Sequence, residues 1–226
     1  MGSLEAVLNH PAVWRGSDCA RVAIPSIPTG FAELDAVLPG GGWPAAALTE
    51  IYAGRPGIGE LQFLMPATAR LTRAGRWVTL IAPPYIPYAP ALAAHGLKLS
   101  RLILIRATKT EERFWACEQA LRHQGCGAVL AWVDHAPERA FKRLQLAAEA
   151  SSAVALLFRS ARVIPASPAA LRLHIERTQN RTLVRVLKRR GSDVPGPIAL
   201  DLQNPALSPP EARRSNNDLR TLEAVP

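Results

Sequence analysis

Two glycines, Gly54 and Gly59, are spaced as GxxxxG in the stretch GRPGIGEL at positions 54–61. This spacing is typical of loops whose backbone N–H groups wrap phosphates at the N-terminus of a helix. Such a loop normally continues with a lysine, which neutralises the outer phosphates, and a hydroxyl residue, which holds Mg²⁺. The spacing indicates a nucleotide-type loop, whose candidate residues are Gly54, Gly57, Gly59, Glu60 and Leu61.

The residues that follow the second glycine do not suit phosphate chemistry. Glu60 stands at the lysine position and Leu61 at the hydroxyl position. A carboxylate about 4 Å from a phosphate charge would cost about 4 kcal/mol at an effective dielectric constant of about 20. Leu61 cannot coordinate magnesium, and Pro56 has no N–H to donate. We therefore expect no catalytic residue, no nucleotide or other cofactor, and no ATP hydrolysis.

No other pattern in the chain points to catalysis or metal binding. The histidines are scattered without an HExxH or HxxxH pair, no GxSxG elbow is present, and the cysteines lack a CxxC pair. We expect no metal site and no disulfide framework, but buried thiols in a reducing cytoplasm. The residues concerned are His10, His95, His123, His135, His174, Cys19, Cys117 and Cys126.

The elements that would position the loop alternate between short apolar runs and helical patterns. Runs that are apolar almost throughout indicate strands buried on both faces, as in a parallel sheet covered by helices. The chain therefore predicts an α/β fold with a wound, mainly parallel sheet. Strands are predicted over 48–53, 77–83, 102–107, 128–134 and 153–159, and helices over 60–74, 86–96, 111–124 and 137–150.

The pattern changes towards the C-terminus. Apolar and polar residues alternate over 171–177, and the run 182–190 is again strand-like, which predicts an antiparallel hairpin with one face open to solvent. The ends of the chain are rich in proline and polar residues. We expect an N-terminal helix and linker at 1–24, a core domain at 25–202, and a disordered C-terminal tail at 203–226.

The positive charge is concentrated in one part of the chain. The net charge is +9, and from Arg139 to Arg190 twelve Lys and Arg residues face only Glu149 and Glu176. Such a block favours an acidic partner, either nucleic acid or an anionic protein face, and also suits a solvated surface. The candidate contact residues are Arg139, Lys142, Arg143, Arg185, Lys188, Arg189 and Arg190.

Two further features could contact a partner protein. Trp43 in the PGGGWP corner and Trp115 on a helix are candidate anchors, although packing in the interior is the more common fate of tryptophan. Leu219 and Leu222 lie at helical spacing in the tail, which would suit a segment that folds against a partner's groove. Trp77, Trp132 and Phe158 lie in predicted strands, and we expect them to be packed.

Three stretches together resemble the core of RecA-type recombinases. They are the entry TGFAELDAVLPGGGWPAAALTEIYAG at 29–54, the helix and strand at 112–134, and the hairpin at 171–191. The short chain, the LPGGGWP corner and the altered phosphate loop resemble more closely still the ImuA family. These are RecA/SulA-like proteins associated with damage-induced translesion synthesis in bacteria.

The resemblance also implies where recombinase chemistry is missing. Asp134 falls at the Walker-B position, at the end of its strand, where a capping or structural role is an equal alternative. Pro84 falls where recombinases place the glutamate that activates water. The segments after the fourth and fifth strands are short compared with the DNA-binding loops of recombinases, so we expect no strand exchange.

The resemblance implies a nonenzymatic, cytoplasmic adaptor of SOS-induced translesion synthesis. Its partners would be RecA, an ImuB-type polymerase-like protein and an error-prone replicative-type polymerase subunit, with weak nonspecific DNA contact and no membrane. One alternative is a SulA-like inhibitor that binds the tubulin-like division protein. The other is a residual ATPase that uses a displaced lysine, such as Lys98, Lys109 or Lys188.

Overall fold

A computed structural model describes residues 25–134, 136–162, 164–178, 181–190 and 196–202 of the chain. The predicted N-terminal helix and linker at 1–24 and the predicted tail at 203–226, with Leu219 and Leu222, lie outside the described residues, as does His135.

Most of the described residues form a single sheet and its flanking helices. The strands are β1 Ser26–Ile27, β2 Trp43–Pro44, β3 Ala47–Ala53, β4 Trp77–Ile81, β5 Leu102–Ile105, β6 Cys126–Trp132, β7 Val154–Ser160, β8 Leu171–Arg177, β9 Thr182–Lys188 and β10 Ile198–Leu200. The helices are α1 Ala32–Asp35, α2 Glu60–Arg73, α3 Ala89–Ala94, α4 Thr110–Arg122 and α5 Glu138–Glu149.

The main sheet has eight strands in the order β10-β9-β8-β3-β7-β6-β4-β5. The pairs from β8 through β3, β7, β6 and β4 to β5 are parallel, whereas β8–β9 and β9–β10 are antiparallel. The predicted α/β fold, with a mainly parallel sheet and a C-terminal antiparallel hairpin, is therefore confirmed. The apolar runs that formed β3, β4, β6 and β7 lie inside the sheet, where helices cover both faces. The run at 102–107 was also expected to be buried on both faces, but it forms the edge strand β5, where Ile103 and Leu104 are each 40% exposed.

The core is divided by the sheet into two layers. On one face, α1 and α2 bury Leu34 and Phe63 against Ile51 of β3. On the other face, α4 and α5 bury Phe114 and Phe141, whose rings meet edge to face at a centroid distance of 5.1 Å. Burial of the ring surfaces supplies most of the stabilisation, and the ring geometry adds about 0.5–1.5 kcal/mol.

Trp43 is corrected from candidate partner anchor to core residue. Its side chain is fully buried and meets the Phe63 ring edge to face at a centroid distance of 5.3 Å. In the corner that carries Trp43, the backbone of Gly42 lies so close to β1 that a Cβ atom there would be 2.3 Å from the backbone oxygen of Ile27. The corner therefore packs β2 into the core and leaves Trp43 no exposed surface for a partner. Trp115, in contrast, is exposed on α4.

The strand residues expected to be packed fall largely in the core. Trp132 and Phe158 are buried side by side on β6 and β7, with stacked rings at a centroid distance of 4.7 Å. Trp77 is half-buried at the start of β4, beneath the guanidinium of Arg101. The stacked pair lies near the carboxyl ends of its strands, where both residues line an open cleft.

Candidate functional site

The candidate phosphate loop connects β3 to α2, in the strand–turn–helix context that its glycine spacing predicted. Gly57 and Gly59 adopt positive φ angles of 84° and 98°, a left-handed backbone conformation that side chains other than glycine disfavour. At Gly57 a Cβ atom would also lie 3.3 Å from the ring of Tyr85. The backbone conformation of the turn is therefore sufficient to explain why both residues are glycine.

Glu60 turns back into this loop. It is the first residue of α2, its side chain is 5% exposed, and both carboxylate oxygens accept the backbone N–H of Gly57, at 3.0 and 3.1 Å. A carboxylate at a helix N-terminus is also favoured by the partial positive charge of the unpaired N–H groups there. The carboxylate thus sits in the loop as a phosphate oxygen would.

This arrangement differs from the simplest expectation for an acid at the lysine position. The side chain does not point out towards an incoming phosphate; it already satisfies a backbone N–H of the loop. Leu61 is half-buried and packs against the apolar core, so it presents no polar atom. An anion entering the loop would have to displace a buried, hydrogen-bonded carboxylate, which is costly because that charge would lose its partners.

Asp134 lies at the carboxyl end of β6 and ties two strand ends together. Its Oδ1 accepts the backbone N–H of Ser160 at 2.8 Å, and its backbone oxygen accepts a hydrogen bond from Arg159 at 3.1 Å. The carboxylate is therefore engaged in a structural contact between β6 and β7. Pro84, exposed after β4, offers no group that could activate water.

An open cleft of about 730 Å³ lies at the carboxyl ends of strands β3 to β7. It brings together Gly54, Glu60, Pro84 and Asp134 from the predicted positions, whereas Gly57, Gly59 and Leu61 do not line it. Ligands of parallel α/β sheets bind at this edge, because loops from several strands converge there. The cleft is accordingly the candidate functional site of the protein.

The charged lining of the cleft is predominantly basic. Arg55, Arg106 and Arg162 are exposed at its rim, and Arg113 donates hydrogen bonds to three backbone carbonyls. Within the described ranges, no ion pair involves any of these four arginines. Among the described residues of the lining, these four arginines outnumber the two acids, Glu60 and Asp134, so the cleft should attract anions.

Beside the cleft, Glu50 is fully buried in a polar cluster at the centre of the sheet. Its carboxylate pairs with Arg159 at 2.8 Å and with Arg172 at 3.1 Å, and it accepts hydrogen bonds from Ser167 and Tyr52. Arg172 also donates to the Tyr52 hydroxyl at 2.8 Å. One carboxylate thus holds two guanidinium groups inside the protein, and Arg159 connects the cluster to Asp134.

Sequence reasoning missed this cluster, although a signal was present. Glu50 interrupts the otherwise apolar strand β3, and Arg159 follows the apolar run of β7. A charged residue within a strand covered on both faces requires a buried partner. Burial raises the pKa of the Tyr52 hydroxyl, with Glu50 acting in the same direction and the hydrogen bond from Arg172 opposing it. Tyr52 therefore stays a neutral hydrogen-bond donor to Glu50.

The predicted basic contact residues are divided between two elements. On α5, Arg139 is exposed, Lys142 pairs with Glu138 at 2.9 Å, and Arg143 pairs with Glu118 at 2.7 Å. Two other arginines of the basic block, Arg159 and Arg172, are turned inward to Glu50. The block therefore presents less external charge than its composition suggests.

The remaining predicted contacts lie on or just after the hairpin. Arg185 pairs with Glu176 at 3.8 Å, and Lys188 donates to the Ser167 backbone oxygen at 3.3 Å. Arg189 donates to the Val37 backbone oxygen, and Arg190 is exposed. The hairpin residues are thus partly engaged within the protein, and none of them lines the cleft.

The two described cysteines are buried free thiols. Burial raises the pKa of Cys117 to about 12 and that of Cys126 to about 11. Since the thiolate is the reactive form, both should resist alkylation at pH 8 in the folded protein and react once it is unfolded. Peptide mapping after iodoacetamide treatment, with and without denaturant, measures this. Native-state labelling of either residue at the rate of an exposed thiol would contradict the prediction.

Two further observations concern sites that the described residues do not form. Within the described ranges, no group of three or more His, Cys, Asp or Glu side chains is arranged to hold a metal ion. Among the described helices, none combines the length and apolar character required to cross a membrane.

The chain is similar in sequence to two kinds of known protein. It is 31% identical over 134 residues to Protein ImuA of Caulobacter vibrioides, in strains NA1000 / CB15N and ATCC 19089 / CIP 103742 / CB 15; the match covers 57% of this chain and 55% of each relative. It is also 33% identical over 100 residues to the cell division inhibitor SulA of Edwardsiella piscicida, covering 43% of this chain and 58% of SulA.

These matches cover only part of this chain and part of each relative. No protein-family model matches the chain. The chain spans little more than half the length of the curated relatives it matches. The similarities nevertheless confirm the resemblance to ImuA/SulA-like proteins that the sequence motifs predicted.

Proposed function

We propose that this protein is a nonenzymatic adaptor of SOS-induced translesion DNA synthesis, built on a RecA-like fold that lacks ATPase chemistry. The similarity to ImuA supports a role in damage-induced mutagenesis. The mainly parallel sheet, its cleft at the carboxyl strand ends and the hairpin that follows are compatible with a RecA-like core. The protein would work in the cytoplasm by contacting other macromolecules.

The observation that carries the proposal is the contact of Glu60 with Gly57. In the degenerate phosphate loop, the protein's own carboxylate occupies the N–H of Gly57 and places a negative charge where a triphosphate requires a positive one. In phosphoryl transfer the protein contributes mainly positioning and charge stabilisation, and here Glu60 and Leu61 replace the lysine and the Mg²⁺-binding hydroxyl that provide them. Asp134, at the Walker-B position, would then serve structure alone.

The proposed partners are RecA, an ImuB-type polymerase-like protein and an error-prone replicative-type polymerase subunit, with weak nonspecific contact to DNA. A recombinase-like body could offer recombinase-like packing surfaces without filament chemistry. A pull-down with the purified full chain tests this. We expect capture of RecA and the polymerase-like protein, and failure to capture either would contradict the adaptor proposal.

A second candidate function is inhibition of cell division. It is favoured by the 33% identity to the cell division inhibitor SulA over 100 residues. The same pull-down should then include the tubulin-like division protein. Capture of the division protein, without capture of RecA or the polymerase-like protein, would favour this function over the adaptor.

A residual ATPase with a displaced lysine finds less support in the structure. Lys98, Lys109 and Lys188 do not line the cleft, and each contacts another group: the Arg73 backbone oxygen, Glu112 and the Ser167 backbone oxygen. We expect a titration with labelled ATP and Mg²⁺ to show no saturable binding below about 1 mM. Micromolar binding to the full chain would overturn the nonenzymatic proposal.

A further inference from the structure

The rim of the cleft carries large apolar side chains that face solvent. Tyr85 and Ile86, in the segment between β4 and α3, are 66% and 73% exposed, and Leu104 on the edge strand β5 is 40% exposed. All three line the same cleft. Single exposed hydrophobic residues are common on protein surfaces, whereas a group at the mouth of a cleft marks an interaction site.

Three exposed arginines line the same cleft as these apolar groups. Arg55 comes from the loop after β3, Arg106 follows β5, and Arg162 follows β7, so three separate strand ends contribute one exposed guanidinium each. Arginine and aromatic residues are enriched in the energetic centres of protein interfaces. A guanidinium also binds a carboxylate through two parallel hydrogen bonds, which gives direction as well as charge attraction.

We propose that this cleft docks an acidic segment of a partner protein, in which carboxylates flank a short apolar anchor. The carboxylates pair with Arg55, Arg106 and Arg162, and the anchor packs against Tyr85 and Ile86. The inference rests on the proposed adaptor function and specifies the chemistry of the segment that the adaptor recognises. Glu60 and Asp134 do not cancel the attraction, because four arginines that form no ion pair among the described residues outnumber these two carboxylates in the lining.

The lining favours an acidic peptide over a nucleotide or single-stranded DNA. A triphosphate would need the loop that Glu60 occupies. Single-stranded DNA follows a basic groove with aromatic platforms, and Tyr85 could serve as one, but the aliphatic Ile86 and Leu104 offer a base nothing to stack on. An apolar anchor between carboxylates uses all of these groups.

The protein's own C-terminal segment is a poorer match than a partner. The described chain ends at Leu202 next to the loop, where its backbone oxygen accepts a hydrogen bond from Gln62 at 3.1 Å. The 203–226 segment could therefore reach the cleft. It contains three acidic and three basic residues, so it offers no net negative charge to the arginines.

The test is the binding of a fluorescein-labelled peptide, in which Asp and Glu flank a Leu-Phe-Leu centre, to the full chain by fluorescence anisotropy. We expect saturable binding that weakens with salt, and no binding of a matched peptide with Lys in place of Asp and Glu. The variant R106E/R162E should weaken binding at least about tenfold, because two attractive contacts become repulsive. Y85S/I86S should also weaken it, by removing the apolar contact.

The matched control is R70E/R181E, which reverses two exposed charges outside the cleft; it should change the affinity by less than about twofold. Circular dichroism checks that each variant is folded. Absence of peptide binding, or equal weakening by the control, overturns the inference. So does cleft-dependent binding of an oligothymidylate in preference to the peptide, or a gain in peptide affinity of at least tenfold on deletion of 203–226, which would make that segment the resident occupant.

The same variants separate this inference from the proposed function. If R106E/R162E still captures RecA and the polymerase-like protein as the wild type does, the adaptor stands and the cleft inference fails. If the wild type captures neither protein, the adaptor proposal itself fails, whatever the peptide does. If peptide binding and capture are lost together in R106E/R162E and retained in R70E/R181E, the inference is supported.

Discussion

Replacing Glu50 with alanine should lower the free energy of unfolding by about 3–5 kcal/mol, because it leaves two buried guanidinium groups without their carboxylate. Arg159 and Arg172 are held almost entirely away from solvent, and the Nε atom of Arg159 already lacks a hydrogen-bond partner. Urea denaturation followed by circular dichroism measures the change. The effect should be among the largest of any single substitution in the protein.

Two comparisons make the Glu50 result specific. Glu176→Ala removes the carboxylate of an exposed pair with Arg185 and should cost less than about 1 kcal/mol. Replacing Glu50, Arg159 and Arg172 together with methionine should recover much of the lost stability, because no unpaired charge remains inside. Equal losses for Glu50→Ala and Glu176→Ala would show that the buried cluster does not stabilise the fold.

The double substitution E60K/L61T, which restores the residue types of a working phosphate loop, should destabilise the protein by about 2–4 kcal/mol. The sequence alone predicts almost no effect on folding, because the loop is expected to contribute little beyond its turn. The structure reverses that expectation: Glu60 is buried and accepts the Gly57 N–H through both oxygens. A lysine cannot accept that bond, and its charge is unfavourable at a helix N-terminus.

Thermal unfolding with and without Mg²⁺-ATP measures this second prediction. Glu60→Gln is the control, because its amide oxygen still accepts the N–H; it should cost about 1 kcal/mol. Emptying the loop should also allow weak nucleotide binding, so that ATP raises the Tm of E60K/L61T but leaves that of the wild type unchanged. A double variant as stable as the wild type would show that the carboxylate does not hold the loop.

Much of the architecture could be predicted from the sequence, because it depends on local patterns. The apolar runs of β3, β4, β6 and β7 identified a covered parallel sheet, and the alternation in β8 and β9 identified a hairpin with one open face. The glycine spacing placed the loop between β3 and α2. These features follow from periodicity and backbone conformation, which each segment carries in its own residues.

The candidate site was only partly predictable. Gly54, Glu60 and Asp134 meet in the cleft, as parallel strand ends require. Arg55, Tyr85, Ile86 and Arg162 belong to connecting segments without regular periodicity, so no pattern marked them. Leu104 and Arg106 fall in the strand predicted at 102–107, but nothing in that pattern showed that they would be exposed beside a cleft. The basic block at 139–190 predicted the site less well than the glycine loop did. A sequence does not distinguish an exposed arginine from one that is paired in the core, as Arg159 and Arg172 are.

By itself the sequence determined that this protein has a parallel α/β core and a glycine loop without its lysine or hydroxyl. Only the tertiary structure decided which charged side chains are buried and paired and which are exposed. It turned Glu60 onto Gly57, enclosed Arg159 and Arg172 around Glu50, buried Trp43 and left Arg55, Arg106 and Arg162 at the rim of the cleft. The physical reason is that backbone patterns are local, whereas burial and pairing depend on partners brought from distant parts of the chain.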